Sequence, residues 1–209
     1  MCDRVISPAQ ITPTAAEQAR RISESAIASL EGAGVYAVEL FLLKDGSVVV
    51  NEIAPRVHNS GHFSIEASMT SQFEQHIRAV LGLPLGSCEM KVPAAIMLNV
   101  IGTGNQEETF APCVRALAVP GGSVHWYCKG EAKKARKMGH ITIVGPTMTE
   151  VFKRAGEVLG TEVEQKPAPV VGVIMGSDSD LPIMKTAASN TSFLLHFSEE
   201  VSLSCLSPP

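Results

Sequence analysis

Several things are scarce in this 209-residue sequence, and each scarcity excludes a class of protein. No apolar run approaches the roughly 20 residues that a membrane-spanning helix needs. The opening residues, MCDRVISPAQITPT, have neither the apolar stretch of a secretory signal nor the Arg/Ser-rich amphipathic character of a transit peptide. The five cysteines contain no close CxxC pair, which suggests neither a zinc knuckle nor a disulfide framework, and reduced thiols in an intracellular compartment are expected. Positive charge is also short: the formal net charge is -4, which argues against a general nucleic-acid or anionic-membrane binder and points to small-molecule partners. What remains, 45% apolar and 18% charged residues, is the composition of an ordinary globular protein able to bury a core. A cytoplasmic location is expected.

The patterning predicts an α/β chain. Thr14 and Glu17 have capping-box spacing, and Ala19, Ile22, Ala26 and Leu30 recur at helical intervals before Gly32. Two β-rich runs, 35–43 and 48–53, flank the Asp45-Gly46 turn signal and predict a hairpin. Phe73, Ile77, Val80 and Leu81 mark a second helix, closed by Gly82 and Pro84. Residues 92–101 read as a buried strand, Val124, Trp126 and Cys128 as a half-exposed one, and 140–144 as another. Thr147 and Glu150 form a capping box for a last helix ending at Gly160. The polar, Pro-containing stretch 161–169 reads as a linker to a new unit at 170–188, a strand, a Gly/Ser/Asp loop and a helix, followed by an aperiodic tail at 189–209.

Chemistry concentrates in two places. Pairing across the Asp45-Gly46 turn joins Leu43 to Val48 and sets Glu39 opposite Glu52. Like charges at cross-strand positions repel, and these two stand among Val38, Leu40, Val50 and Ile53. A divalent cation would remove both costs; a cationic partner elsewhere, or solvation on an edge hairpin, would serve as well. Just past the second strand, NEIAPRVHNSGH gathers the acid Glu52, Arg56, His58, Asn59 and His62, the inventory of an anion or nucleotide site. Further on, Lys129, Lys133, Lys134, Arg136 and Lys137 form a basic loop that is either a phosphate site or solvated charge. His125 and His140, on strands, read as structural imidazoles.

GVYAVELFLLKDGSVVVNEIAPRVHNSGH, SIEASMTSQFEQHIRAVLGLPL and VHWYCKGEAKKARKMGHITIVG together resemble N5-carboxyaminoimidazole ribonucleotide synthetases, and VVGVIMGSDSDLPIMKTAA resembles the start of an aminoimidazole ribonucleotide carboxylase (mutase) domain. The combination is similar to the two-domain phosphoribosylaminoimidazole carboxylases of fungi and plants. The resemblance implies an α+β ATP-grasp C-terminal lobe at 1–85, a small β-rich domain at 86–160, and the first β-α unit of a flavodoxin-like parallel α/β domain at 170–188. It implies ATP-dependent carboxylation of 5-aminoimidazole ribonucleotide in purine biosynthesis, a ligase/lyase activity, with ATP, Mg²⁺ and bicarbonate. Bicarbonate is phosphorylated to carboxyphosphate, which carboxylates the exocyclic amine. By the same resemblance Glu39 and Glu52 bridge Mg²⁺, and His58 and Asn59 lie near bicarbonate and the aminoimidazole. Arg56 either stabilises phosphoryl charge or fixes its loop. Lys129, Arg136 and Lys137 meet the ribose phosphate, and Ser177 and Asp180 contact the nucleotide in the mutase segment. A homo-oligomer is implied for the full-length form, with a plastid location for a plant one. Much of an ATP-grasp domain has no counterpart in this sequence, so a partial carboxylase and an inactive binding or assembly module are both expected readings.

Overall fold

A computed structural model describes residues 2–163. The units expected at 170–188 and 189–209, with Ser177 and Asp180, lie outside the described residues. In chain order the elements are β1 (Arg4–Ser7), α1 (Pro13–Ala28), β2 (Ala37–Leu42), β3 (Val48–Ala54), α2 (Ser64–Ala67), α3 (Gln72–Val80), β4 (Ala94–Ile101), α4 (Gln106–Ala116), β5 (Gly122–Trp126), β6 (Lys137–Gly145) and α5 (Met148–Leu159). They form a four-stranded antiparallel sheet, ordered β1-β4-β6-β5, and a separate two-stranded hairpin, β2-β3. This is a mixed α/β architecture, as the patterning predicts. No described helix is long and apolar enough to cross a membrane.

β4 is the organising strand. Its sequence, AAIMLNVI, is buried from Ala94 to Val100 because both faces are covered. Ile96, Leu98 and Val100 point to a core shared with Ile141 and Ile143 of β6 and with Val151, Phe152, Ala155 and Val158 of α5. Ala95 and Met97 pack on the other face against Val5, Phe63 and Ala67. Fully burying each large aliphatic side chain contributes about 1.5–3 kcal/mol, so these two layers dominate the stability of the sheet. The α5 signals hold as written: Thr147 caps the helix by accepting from the Glu150 N–H, and Gly160 closes it with a left-handed φ of 74°.

Elsewhere the structure corrects the sequence. α1 is capped by Thr12, whose hydroxyl accepts from the Ala15 N–H, with Pro13 in the first turn, where the N–H it lacks would have no helical partner. Its buried face is Ala15, Ala19, Ser23 and Ile27, while Leu30 is exposed. Small residues allow α1 to lie close on Val38, Leu40 and Val48 of the hairpin. α3 is turned over: Phe73, Ile77, Val80 and Leu81 are exposed, and Gln72 and Gln75 are buried. Those amides are clamps. Gln72 binds the backbone N–H and C=O of His58, and Gln75 binds those of Gly86, which satisfies loop backbone that no strand reaches. β1, too short for a periodic signal, crosses the division expected at 85/86 by pairing with β4. α4 carries Pro112 in its interior, which hides it from propensity. Cys2, Cys113 and Cys128 are free thiols. Cys88 departs from the reduced-thiol expectation: it is disulfide-bonded.

Candidate active site

The hairpin aligns its acids by an irregularity. Near the turn Leu42 pairs with Val48, Phe41 with Val49 and Leu40 with Val50, one residue out of the expected register. Asn51 is then inserted without a partner, and beyond this bulge Glu39 does face Glu52. A bulge re-aims the side chains that follow it; were Asn51 paired in regular register it would face Glu39, and Glu52 would stand on the opposite face. Glu39 is buried and Glu52 exposed. The Asn51 Nδ2 donates to Glu39 Oε2 at 3.1 Å.

His58 completes the cluster: one donor atom each from Glu39, Glu52 and His58 all lie within 4.8 Å of one another. The extended conformation of His58 begins the 3-10 turn Asn59–Gly61, and its Nδ1 accepts from the Ser60 backbone N–H at 3.4 Å and meets Ser60 Oγ at 2.8 Å. Burial, followed by the Arg56 and Lys137 charges, lowers the His58 pKa, against an opposing pull from Glu52. The ring is therefore neutral at neutral pH. With Nδ1 accepting, Nε2 carries the proton and donates to Glu39 Oε1 at 3.2 Å, a hydrogen bond rather than an ion pair. The cation-type ligands are then the two carboxylates. Hard oxygen donors, one buried and one open to solvent, suit Mg²⁺ with its remaining positions left to water and phosphate.

Arg56 is exposed and donates to the Val57 carbonyl at 3.0 Å, within its own loop.

The basic loop is built against the end of β4. Gly102 exchanges backbone bonds with Ala135 and Arg136 there, and a Cβ on Gly102 would lie 2.1 Å from the Lys133 carbonyl. Cys128 and Ala135 take left-handed φ values of 51° and 64° at the two ends of the loop, uncommon for residues with a Cβ and frequent at functional sites. Arg136 donates to the Lys129 carbonyl, and Lys129 to the Lys137 carbonyl, with its ammonium 4.8 Å from the Tyr127 ring centre. A second bulge, where Val100 pairs with Gly139 but Ile101 with Lys137, turns Lys137 onto the Asn59 side of the sheet. Lys137 Nζ donates to Asn59 Oδ1 at 2.7 Å and so joins the basic loop to the NEIAPRVHNSGH segment. Lys133 and Lys134 are exposed.

Residues that sequence reasoning passed over line the same place. Asn99, the one strongly polar side chain in β4, forms a reciprocal amide pair with Asn59. Tyr127 Oη lies 2.8 Å from His140 Nδ1, and His140 stacks on His125 at 4.4 Å. His125 Nε2 is 2.7 Å from Glu66 Oε1. Burial, reinforced by mutual repulsion, holds His62 at about 4 and His140 at about 3. The His140 Nε2 and Glu66 Oε2 are buried with no hydrogen-bond partner, so this block is only partly the satisfied structural imidazole pair that the strands suggest. The signal available in the sequence was a lone Asn within an apolar run.

Residues 1–73 match the ATP-grasp domain and residues 95–154 the phosphoribosylaminoimidazole carboxylase C-terminal domain. A chloroplastic phosphoribosylaminoimidazole carboxylase of Vigna aconitifolia is 50% identical over 196 residues, covering 90% of this chain and 35% of the relative. The carboxyaminoimidazole ribonucleotide synthase of Aspergillus clavatus complexed with ATP superposes with a TM-score of 0.74 at 40% identity, over 77% of this chain and 42% of that one. The same enzyme in complex with ADP and 5-aminoimidazole ribonucleotide gives a TM-score of 0.73. The chain thus spans about a third of the length of the Vigna relative.

Proposed function

Because this chain is a homologue of the phosphoribosylaminoimidazole carboxylases, carrying ATP-grasp sequence and their C-terminal domain, we propose that it holds one wall of the site for ATP-dependent carboxylation of 5-aminoimidazole ribonucleotide. One observation carries this reading: the Lys137–Asn59 contact sets phosphate-type cations beside the carboxylate cluster, so that a nucleotide phosphate and a ribonucleotide can be held in one place.

In the proposed reaction a bicarbonate oxygen attacks the γ-phosphorus of ATP and ADP leaves. The exocyclic amine then takes the carboxyl carbon of carboxyphosphate, inorganic phosphate leaves, and the amine gives up a proton. Glu39 and Glu52 would hold Mg²⁺, which supplies charge compensation for the phosphates when bound. Neutral His58, held by Gln72 and Ser60, keeps Glu39 oriented, and its position beside both acids suits it to orient the small anion. Asn59 presents an amide to the nucleophile, and Lys137 offers an ammonium to carboxyphosphate or the ribose phosphate. Lys129 and Arg136, exposed at the loop's mouth, meet the ribose phosphate.

Calorimetric titration of the chain with 5-aminoimidazole ribonucleotide tests this: saturable binding is expected, and its absence in the presence and absence of Mg·ATP would sink the proposal. A second reading, binding without turnover, is supported by the chain's covering only 35% of the Vigna relative. ATP- and bicarbonate-dependent consumption of the ribonucleotide above a Glu52→Ala control would overturn that second reading.

A further inference from the structure

Asn99 stands in the middle of β4, opposite His140 and buried at 8% exposure in a strand whose other central residues are apolar. A buried amide in such a strand costs stability unless its hydrogen bonds are filled, and all of these are. Asn59 Nδ2 donates to Asn99 Oδ1 at 2.8 Å, and Asn99 Nδ2 donates to Asn59 Oδ1 at 2.9 Å. The second Asn99 Nδ2 hydrogen goes to the Cys2 carbonyl at 3.1 Å, and the Asn99 backbone N–H to the Asp3 carbonyl at 2.7 Å.

An amide pair closed only on itself is degenerate, since turning both side chains over regenerates the same two bonds. The Cys2 carbonyl removes the degeneracy. It can only accept, so it fixes the Asn99 nitrogen, and the Asn99 nitrogen fixes the Asn59 oxygen. The second lone pair of Asn59 Oδ1 then meets Lys137 Nζ, which can only donate, at 2.7 Å. Burial pushes the Tyr127 phenol up, opposed by a hydrogen bond with the Asn59 side chain. Backbone carbonyl, Asn99, Asn59 and Lys137 form one line with a single allowed polarity.

We propose that Asn99 is a positioning residue of this site: anchored on the Cys2 carbonyl, it holds Asn59 Oδ1 toward the place of Lys137 Nζ whether or not Lys137 remains there. A lysine that must also meet a ligand phosphate cannot by itself hold the amide it leaves, whereas a buried asparagine on a central strand can. The functional meaning rests on reading Asn59 and Lys137 as substrate-facing groups, but the amide's orientation is measured without substrate or turnover, so the two ideas fail separately.

The experiment follows the side-chain amide of Asn59 and the Nζ of Lys137 by ¹⁵N NMR in the whole chain. In Lys137→Met the Asn59 amide protons should stay distinct and slowly exchanging. In Asn99→Leu they should exchange about tenfold faster, the loss of one buried hydrogen bond, and the Lys137 signal should shift. Adding Asn59→Asp to Asn99→Leu should again hold the Lys137 ammonium, read as slower exchange of its Nζ protons than in Asn99→Leu alone, because a carboxylate presents oxygen in either rotation. Should Asn99→Leu fail to fold, Asn99→Ser, which adds no bulk, carries the same expectations. An Asn59 amide that stays protected in the folded Asn99 variants, or loses protection in Lys137→Met, overturns the proposal. So do Lys137 Nζ protons that exchange as fast with Asn59→Asp added as in Asn99→Leu alone, which would mark Asn99 as a packing residue only.

Discussion

Glu39 faces Glu52 across the hairpin because Asn51, between Val50 and Glu52, is left out of the strand pairing, and that same Asn51 donates to Glu39. Repulsion between the two acids, read from the sequence, would make loss of either charge stabilising in the absence of metal. The structure splits the pair. Glu52 is exposed, so Glu52→Gln should raise stability by about 0.5 kcal/mol through relief of like charge. Glu39 accepts from Asn51 and His58, so Glu39→Gln should lower it by about 1 kcal/mol. Thermal melting with and without Mg²⁺ reads both effects, and each variant should lose most of the metal-induced shift. An undiminished shift in both would exclude a shared ion.

Stability should fall with acid earlier than carboxylate titration alone would require. His62 and His140 titrate at about 4 and about 3 in the folded chain, against 6.5 for a free imidazole. Between those values the unfolded chain binds more protons than the folded one, so stability rises with pH there and is complete above about 6.5. Denaturant midpoints measured from pH 7.5 to 4.5 should decline throughout. In His140→Gln the decline should be shallower; an equally steep one would mean that the buried imidazoles are not its source.

Gly102→Ala is expected to dislodge the basic loop. Its Cβ would stand 2.1 Å from the Lys133 carbonyl, a backbone atom that cannot rotate away. A cost of about 1–3 kcal/mol is expected from the displacement, with amide shifts confined largely to residues 128–137. Wild-type stability with unshifted loop amides would show that Gly102 does not hold the loop against β4.

Charge alone does not make a phosphate site, and two cations of the loop differ in placement. Arg136 is tied back to the Lys129 carbonyl and lies next to Lys137, whereas Lys134 is exposed at the loop's outer turn. Arg136→Ala should weaken binding of 5-aminoimidazole ribonucleotide by about tenfold, the loss of a charge-assisted bond, and Lys134→Ala by less than about twofold. Equal effects in calorimetry would reduce the loop to a generic field.

Most elements with a clean period could be read from the sequence, and the facing of Glu39 and Glu52 could too, but by a count that was one residue wrong at the turn and corrected by the bulge. Bulges are invisible to alternation, because a single inserted residue leaves the apolar pattern on either side intact. The same holds for the Lys137 bulge. α3 shows a different limit: its apolar stripe marks a helix correctly while the buried face is the glutamine one, since loop backbone from His58 and Gly86 needed partners that only long-range packing reveals. Asn99 meets Asn59 and Tyr127 meets His140 through tertiary packing, and no spacing along the chain encodes those meetings.

The order β1-β4-β6-β5 carries a consequence for how the sheet assembles. β4, β5 and β6 are near one another along the chain, and their pairings close short loops. β1 has to find β4 after the hairpin and α1 to α3 have intervened, and the entropy of closing so long a loop is spent before any ladder bond forms. In pulse-labelled refolding, amides of β4 to β6 should gain protection first and those of Val5 and Ile6 last. Asn99 takes its anchor from Cys2, beside β1, so Asn59 should acquire its final orientation only when that slow strand docks, making the site one of the latest features of the fold to mature.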